Sequence, residues 1–524
     1  MDTNEHDCEG TRPSPLAGAS VFVRRGLLRV ARPAALWLVC ATAPVYSRAA
    51  TQEWPTGWPE DVGMDSSALV EMFDFVRKHE VPVHSVQIVR HGRLVLDAYF
   101  HPFNAAWRHD VASVTKSITS TLIGLAIDQG LLNGVKAPLT NLFPARPMAR
   151  LDARKQRMTL EDLLTMRAGW DCGFEPKEAR LSEMRRSTDW IQFMLDLPMV
   201  AEPGERFAYC SGNCHLLSAL LSRAASTNAL AFAQRYLFAP LDIRDVDWIV
   251  DSHGHNHGWG DLQLRPLDMA KLGQLFLQNG KWRGRQLLPD SWIASATRPH
   301  VMQTVNDDHY GYFWWVKGQK YAGVYEAVGR GGQRIIVWPA KDLVLVFTGG
   351  GFEPGDLANF VVKSLRSDQP LPPAEKAQAN LKDRLAVAAR PPAPQPVPIL
   401  PKTAMRVSGR SYTLNDNSMG LAALALRFNQ STQTLAELTW LGQKVSCPVG
   451  LDEVERFSTN SLVNLPVAAK GRWLTEDQFL LQLDLVGRIN CYRFKLNFTG
   501  ELIRVSLSER TGLNDENFEG ITKL

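Results

Sequence analysis

The sequence has few cysteines, little net charge and no long apolar run. Seven cysteines occur among 524 residues, and no two of them form a C-x-x-C pair, which argues against a cysteine zinc site. The formal net charge of +4 is small for this length, so composition predicts neither nucleic acid nor an acidic membrane surface as a partner. Repeats at solenoid periods are also absent. The length suits two globular domains plus tails.

Residues 1–50 have the composition of a targeting segment. The positive charges of "VFVRRGLLRV" precede the short apolar run "PAALWLVCATAPV", and "SRAA" offers a small-residue cleavage site. The pair Arg24-Arg25 resembles a twin-arginine export signal. A single membrane anchor is the alternative. We therefore expect a signal peptide and a periplasmic or secreted mature chain, with no stable membrane insertion after signal removal.

Export would place the remaining cysteines in an oxidising compartment. Cys447 and Cys491 lie in the same C-terminal region and could form one disulfide. Cys172 could pair with Cys210 or with Cys214, and either pairing leaves one thiol over.

Residues 51–367 mix strand and helix signals. "SVQIVRHGRLVLDAYF" predicts a hairpin that turns at His91-Gly92, and "YEAVGRGG" and "RIIVWPAKDLVLVFTGG" predict strands near the end of the region. Between them, "SVTKSITSTLIGLAIDQG", "TLEDLLTMRAG", "NCHLLSALLSRAAS" and "RPLDMAKLGQLFLQNG" have helical spacing. We expect an α+β domain whose antiparallel sheet takes strands from both ends of the region.

The composition changes twice after this region. Residues 368–404 are rich in Pro and Ala with few large apolar side chains, which is typical of a linker. Residues 405–524 contain short alternating runs such as "TLAELTWL" and "CYRFKLNF", which predict a small all-β domain.

Chemistry is suggested first by "ASVTKSITS". Ser113 and Lys116 stand three residues apart at a helix start, so they share one face with Cβ atoms about 5–6 Å apart. A buried lysine is expected to lose its proton more readily and then to accept one from serine. Backbone N–H groups at a helix N-terminus would stabilise an oxyanion. The alternative is an ordinary polar helix start.

Further segments strengthen the catalytic interpretation. "PGERFAYCSGN" places Tyr209 just before a helix, and "AVGRGGQ" places glycines after a strand, where the backbone can approach a ligand. With "TLEDLLTMRAGW", "LRPLDMAKLGQLFLQNGKWRGRQLLPDSW" and "YGYFWWV", these ordered segments resemble the serine hydrolases of the penicillin-recognising, class C β-lactamase-related group. The resemblance implies a β-lactamase-like α+β fold, an antiparallel sheet flanked by helices with a helical subdomain.

The resemblance also implies roles for individual residues. Ser113 would be the acylated nucleophile, Lys116 would assist its deprotonation, and Tyr209 would pass the proton to the leaving group and later activate water. The oxyanion hole would combine the Ser113 N–H with a backbone N–H near the end of the third-motif strand. The implied substrate-binding and oxyanion residues are Trp170, Ser211, Asn213, Gly329, Arg330, Gly331 and Gly332.

The sequence departs from the β-lactamases at two of these motifs. Ser211 stands where those enzymes have Asn, with Asn213 two residues further on, and Arg330 is the only cation near the third motif, where they have Lys or His. These changes favour the esterase and 6-aminohexanoate-dimer hydrolase branch. Asn213 could instead cap a helix, Arg330 could face solvent, and Trp170 could pack under a loop.

The histidines of "DSHGHNHGWGD" could bind a metal, but the composition favours a loop. The aromatic side chains of "YGYFWWV" are expected in the core. We therefore predict an exported serine hydrolase of small esters or linear amides that needs no metal and no cofactor, and leave its oligomeric state open. The alternatives are a β-lactamase or D-alanyl-D-alanine peptidase activity, or a non-catalytic module that binds cell-wall peptides.

Overall fold

The computed structural model describes residues 54–173, 178–302, 304, 308–429, 432–458 and 466–522. The predicted signal peptide, residues 1–50, lies outside these ranges. Within them, no helix is both long enough and apolar enough to cross a membrane.

Most of the helices lie between the early and late strands of the first region, as the sequence predicts. In chain order they are α1 (Ser66–Lys78), α2 (Val114–Asp128), α3 (Leu139–Leu142), α4 (Ala153–Arg157), α5 (Leu160–Leu164), α6 (Ala179–Arg186), α7 (Trp190–Leu195), α8 (Ser211–Ala225), α9 (Ala229–Ala233), α10 (Pro266–Leu277), α11 (Asp290–Thr297), α12 (Gly355–Ser364), α13 (Glu375–Ala388) and α14 (Lys402–Val407).

The strands up to residue 349 are β1 (Val83–Arg90), β2 (Arg93–Tyr99), β3 (His109–Asp110), β4 (Asp247–Trp248), β5 (Leu262–Leu264), β6 (Lys281–Trp282), β7 (Arg285–Gln286), β8 (His309–Tyr310), β9 (Trp315–Val316), β10 (Tyr325–Gly329), β11 (Gln333–Trp338) and β12 (Leu343–Gly349). The strands that follow are β13 (Ser411–Leu414), β14 (Leu421–Phe428), β15 (Gln433–Trp440), β16 (Gln443–Gly450), β17 (Arg456–Ser458), β18 (Val467–Trp473), β19 (Gln478–Leu485), β20 (Cys491–Thr499), β21 (Leu502–Glu509) and β22 (Glu516–Thr522).

The main sheet of the first region has the strand order β2-β1-β12-β11-β10-β9-β8. The predicted hairpin around His91-Gly92 is β1 and β2, and β1 pairs antiparallel with β12 from the far end of the region. Both ends of the region therefore contribute to one sheet, as expected. One face of the sheet packs on the core that contains α2, α8 and α10, and the other packs against α1, α12 and α13.

Helix α2 runs through the centre of this domain. Every side chain from Val114 to Ala126 is buried, including its serines and threonines. Two of the buried hydroxyls bond to backbone outside the helix: Ser117 donates to the Phe313 carbonyl at 2.6 Å and Thr119 to the Gly258 carbonyl at 2.8 Å. Because buried hydroxyls need such partners, these bonds fix α2 relative to the neighbouring loops.

The segment predicted as a linker is partly helical. Helix α13 lies within residues 368–404, and its Leu381 is buried in the core formed with α1 and α12. Its alanines favour a helix, and its single buried leucine gives that helix one narrow packing face. The prolines of the segment lie on either side of the helix.

The strands after residue 405 form a second sheet, in the order β16-β15-β14-β13-β22-β21-β20-β19-β18-β17. A parallel contact between Gly450 and Lys470 joins β16 to β18 and closes this sheet on itself. Alternating apolar residues fill its interior, as the alternating sequence runs predict. The chain thus has an α+β, β-lactamase-like fold followed by an all-β domain, which confirms the predicted fold class.

Candidate active site

Ser113 lies at a sharp turn that leads from β3 into α2. Ala112, just before it, has a φ of 47°, in the left-handed region. The Ala112 N–H donates to Asp110 Oδ1 at 2.8 Å, which holds this turn in place. No acceptor in the described ranges takes the Ser113 N–H. The turn therefore places the Ser113 hydroxyl beside a backbone N–H that has no partner in the described part of the chain.

Lys116 reaches Ser113 as the spacing predicts. Its Nζ donates to Ser113 Oγ at 2.8 Å and to the Trp259 carbonyl at 3.1 Å. The loop that supplies this carbonyl passes so close to α8 that a Cβ at Gly258 would lie 2.0 Å from the Cys214 carbonyl oxygen. Only glycine fits there, and its close approach brings the Trp259 carbonyl to the lysine.

Tyr209 completes the cluster from the segment before α8. Its ring centroid is 4.8 Å from Lys116 Nζ. Trp315 stacks on the ring with a centroid distance of 6.2 Å. Trp315 was expected in the core with its neighbours. Trp314 is indeed buried, whereas Trp315 is half-buried beside Tyr209.

The pKa of Lys116 shifts in the opposite direction from the one expected. Burial by itself disfavours its ammonium, but Tyr209, Cys214 and Glu178 outweigh burial and raise the pKa of Lys116. Burial also raises the pKa of the Tyr209 phenol, although Lys116 and Ser113 oppose the shift. Burial thus acts on Lys116 as expected, but the neighbouring groups reverse the net direction of its pKa shift. At neutral pH both Lys116 and Tyr209 carry their protons.

Glu178 is a member of the site that sequence reasoning missed. Its carboxylate accepts the Ser211 N–H at 2.7 Å and the Ser211 hydroxyl at 2.8 Å. It also contributes to the raised pKa values of Lys116 and Tyr209. No local sequence signal marks Glu178, because its partners are brought to it by the fold. Since Glu178 occupies the Ser211 hydroxyl, this serine is not a free substrate contact.

Two of the predicted substrate-binding residues, Trp170 and Asn213, are buried. Trp170 is buried, and its Nε1 donates to Asn213 Oδ1 at 2.9 Å. Asn213 is buried within α8, whose N-cap is Cys210, so its side chain does not cap the helix. Trp170 and Asn213 therefore support the site through packing and a buried hydrogen bond, and their side chains do not line it.

A disulfide fastens the loop around Trp170 to the segment that carries Tyr209. It joins Cys172 to Cys210, one of the two pairings left open by the sequence. Cys214 is a free, buried thiol. The predicted Cys447–Cys491 disulfide is wrong: both are free and buried, and burial raises the pKa of each thiol to about 12. They face different surroundings in β16 and β20, which sequence proximity cannot reveal.

Of the third-motif glycines, Gly329 lies beside the segment that leads into Ser113. A Cβ at Gly329 would lie 2.5 Å from the Val111 carbonyl oxygen, so the end of β10 runs against the segment that leads into Ser113. Gly331 and Gly332 follow with φ of 83° and 100° in the turn to β11. Arg330 donates to Thr511 Oγ1 of the all-β domain at 2.6 Å. Its guanidinium is thus directed towards that domain.

The histidine-rich stretch is a loop between β4 and β5, as predicted. The alternating histidines do not gather: His255 contacts Asp251, whereas His257 contacts Asp261. His215 from α8 joins instead, with its Nε2 3.0 Å from Asp251 Oδ2. The donor atoms of His215, Asp251 and His255 all lie within 4.8 Å of one another, so these are the described residues that could hold a metal. Asp251 Oδ2 lies within hydrogen-bond distance of both imidazoles, whereas His215 Nδ1 is buried without a partner among the described residues.

A Ser–Lys–Tyr cluster at the start of a central helix, with the lysine buried and the serine and tyrosine half-buried, lies beside an antiparallel sheet. This arrangement defines a serine hydrolase of the β-lactamase fold. The Beta-lactamase family model matches residues 71–359, and the chain belongs to this family.

Proteins similar to this chain include a 6-aminohexanoate-dimer hydrolase and two solved structures. A 6-aminohexanoate-dimer hydrolase from Paenarthrobacter ureafaciens is 24% identical over 291 residues, which cover 52% of this chain and 73% of the relative. Among solved structures, EstCE1, a hydrolase with promiscuous acyltransferase activity, matches 58% of this chain and 99% of its own at 16% identity with a TM-score of 0.50. The octameric penicillin-binding protein homologue from Pyrococcus abyssi matches 86% of this chain and 99% of its own at 15% identity with a TM-score of 0.46.

Proposed function

We propose that this serine hydrolase forms an acyl-enzyme on Ser113 and acts on small esters or linear amides. The observation that carries the proposal is the contact of Lys116 Nζ with Ser113 Oγ at 2.8 Å, with Tyr209 against both. The hydroxyl, the amine and the phenol have in this cluster the proximity that proton transfer requires.

In the proposed reaction, the Lys116–Tyr209 pair first releases one proton to solvent. Ser113 Oγ then bonds to the substrate carbonyl carbon, and the hydroxyl proton passes to the deprotonated pair. The bond to the leaving alcohol or amine then breaks, and the pair returns the proton to the leaving oxygen or nitrogen. Water attacks the acyl-enzyme with its proton taken up by the same pair, which releases the acid and restores the serine. The Ser113 N–H and a backbone N–H of residues 329–331 bind the oxyanion.

Two features favour esters and linear amides over β-lactams. The Ser211 hydroxyl, at the position of the drug-binding asparagine, is held by Glu178, and the one cation of the third motif is directed to Thr511. The side chains that would hold a β-lactam side chain and carboxylate in related enzymes are thus engaged elsewhere. The linear amide in the name of the Paenarthrobacter relative points the same way.

We further propose that the chain is exported. The N-terminal segment supports this, and so does the Cys172–Cys210 disulfide, because such bonds persist in oxidising compartments.

The decisive experiment is intact-protein mass spectrometry after exposure to a fluorophosphonate, with Ser113→Ala as the matched variant. We expect one adduct on the parent and none on the variant, with both folded by circular dichroism. Equal labelling of the two would overturn the assignment of Ser113, and a folded parent that takes no adduct would favour the peptide-binding module. A panel of esters, short amides and β-lactams then decides the substrate class.

A further inference from the structure

The all-β domain touches the catalytic turn through one connection. Residues 486–490, between β19 and β20, lie against the first domain. Val486 is buried with Phe103, and a Cβ at Gly331 would lie 2.4 Å from Ile489 Cγ2. The Gly487 carbonyl accepts the Asp110 N–H at 2.7 Å. This connection, here called the β19–β20 loop, therefore packs on the segment just before Ser113.

Arg488 is the charged residue of the β19–β20 loop. Its side chain is 10% exposed, and its Nη1 lies 3.2 Å from Asp110 Oδ2 and 3.8 Å from Asp261 Oδ1. A buried guanidinium shared by two carboxylates is a costly arrangement unless all three charges compensate one another. Arg488 thus links two segments of the first domain that are far apart in sequence.

The first of these segments contains Asp110 and holds the backbone turn just before Ser113. The Asp110 carboxylate uses Oδ2 for Arg488 and Oδ1 for the Ala112 N–H at 2.8 Å. Ala112 has the left-handed φ of 47° immediately before Ser113. A non-glycine residue holds such a backbone conformation only where its surroundings enforce it.

The second segment contains Asp261 and belongs to the loop that binds Lys116. Asp261 accepts from His257 Nδ1 at 2.8 Å and closes the loop that contains Trp259, whose carbonyl binds Lys116 Nζ. Asp261 itself has a φ of 59°. The same guanidinium therefore reaches the two loops that fix Ser113 Oγ and Lys116 Nζ.

We infer that Arg488 is a positioning residue of the active site, through which the all-β domain holds the Ser113 turn and the Lys116-binding loop in register. This inference rests on the proposed roles of Ser113 and Lys116. It gives the all-β domain a part in catalysis that its own sequence does not reveal.

The test compares Arg488→Met and Arg488→Lys with the parent in fluorophosphonate labelling and in ester hydrolysis. Small displacements of reacting groups cost about 10- to 100-fold in rate, so we expect a loss of that order in labelling rate and in kcat for Arg488→Met, with KM little changed. Arg488→Lys keeps the positive charge but lacks the planar guanidinium with its several N–H donors. It should therefore recover part of the lost labelling rate and kcat.

Glu455→Gln is the matched control. Glu455 of the all-β domain pairs with His101 of the first domain at 3.4 Å, with side chains 10% and 16% exposed, so its loss also weakens the interface. We expect a lowered melting temperature with labelling at the parent rate. A merely structural role for Arg488 predicts the same behaviour for Arg488→Met.

The outcomes separate the two proposals. A parent that is not labelled refutes the role of Ser113, whereas a labelled parent with both Arg488 variants within twofold of its rate overturns the positioning role. If Arg488→Met does not fold, Arg488→Lys decides alone: a rate at least threefold below the parent supports the inference, and an equal rate overturns it.

Discussion

At the scale of single residues, the proposed chemistry depends on the protonation state of the Lys116–Tyr209 pair. Both pKa values are raised, so at neutral pH the ammonium and the phenol are each protonated. A pair in this state cannot accept the Ser113 proton until it loses one of its own. The reactive form of the pair therefore has one proton fewer than the form present at neutral pH.

We accordingly expect kcat/KM for a neutral ester to rise with pH across the neutral and mildly alkaline range. The sign follows from the raised pKa values, because the reactive fraction grows as the pair deprotonates. The measurement is initial-rate kinetics on a substrate without ionisable groups. A flat profile from about pH 6 to pH 9 would contradict this protonation state.

Glu178→Gln tests the origin of the shift. The Glu178 carboxylate raises the pKa of both Lys116 and Tyr209, so its neutral isostere should move the rise in kcat/KM to lower pH. Gln can still bond with Ser211, which limits the structural change. Ser211→Ala removes the hydrogen bond but keeps the carboxylate, and its profile should stay at the pH of the parent.

At the scale of elements, periodicity and turn residues predict those parts of the fold that local contacts decide. The β1–β2 hairpin, α2 and α10 with Pro266 in its first turn all form where the sequence places them. Helix α13 was missed because one buried leucine among alanines gives little amphipathic signal. Ser113, Lys116 and Tyr209 were recognised from motifs, whereas Glu178 and Arg488 join the site only through long-range packing.

The Cys172–Cys210 disulfide connects the Trp170 loop to the Tyr209 segment across 38 residues. Closing a loop of this length restricts the unfolded chain, so replacing both cysteines by serine should lower the free energy of unfolding by about 2–4 kcal/mol. Because Cys210 follows Tyr209 directly, kcat should fall as well. Chemical denaturation measured by tryptophan fluorescence checks the stability, with the free-thiol variant Cys447→Ala as the control. Equal unfolding midpoints for the double-serine variant and its parent would contradict a stabilising disulfide.

At the scale of the whole molecule, a buried histidine pair lies where the two domains meet. His84 Nδ1 and His109 Nε2 are 2.8 Å apart, and His109 Nδ1 donates to the Asp110 carbonyl at 2.8 Å. Burial lowers the pKa of His109 to about 4 and that of His84 well below its usual value, with nearby Arg488 and Arg510 acting in the same direction. Both histidines are therefore neutral in the folded protein.

This pair should make the fold sensitive to acid. Below about pH 6.5 the unfolded chain binds protons at both histidines while the folded protein does not, so stability falls as pH drops from about 6.5 towards 4, by about 1.4 kcal/mol per pH unit for each histidine. Asp484 opposes the loss, since burial raises its pKa to about 6 and the folded protein takes up its proton in the same range. Two histidines outweigh one carboxyl, so a net loss remains from these three groups.

Comparison with His109→Gln isolates the histidine term, because Asp484 contributes equally to both proteins. The variant lacks one of the two neutral imidazoles, so its free energy of unfolding should fall less steeply between about pH 6.5 and pH 4.5, by about 1.4 kcal/mol per pH unit. Urea denaturation at several pH values gives both slopes, and the difference between them does not depend on the stability of either protein at neutral pH. Parallel slopes would mean that His109 is protonated in the folded state, and that the contact between the two domains is open enough to hydrate it.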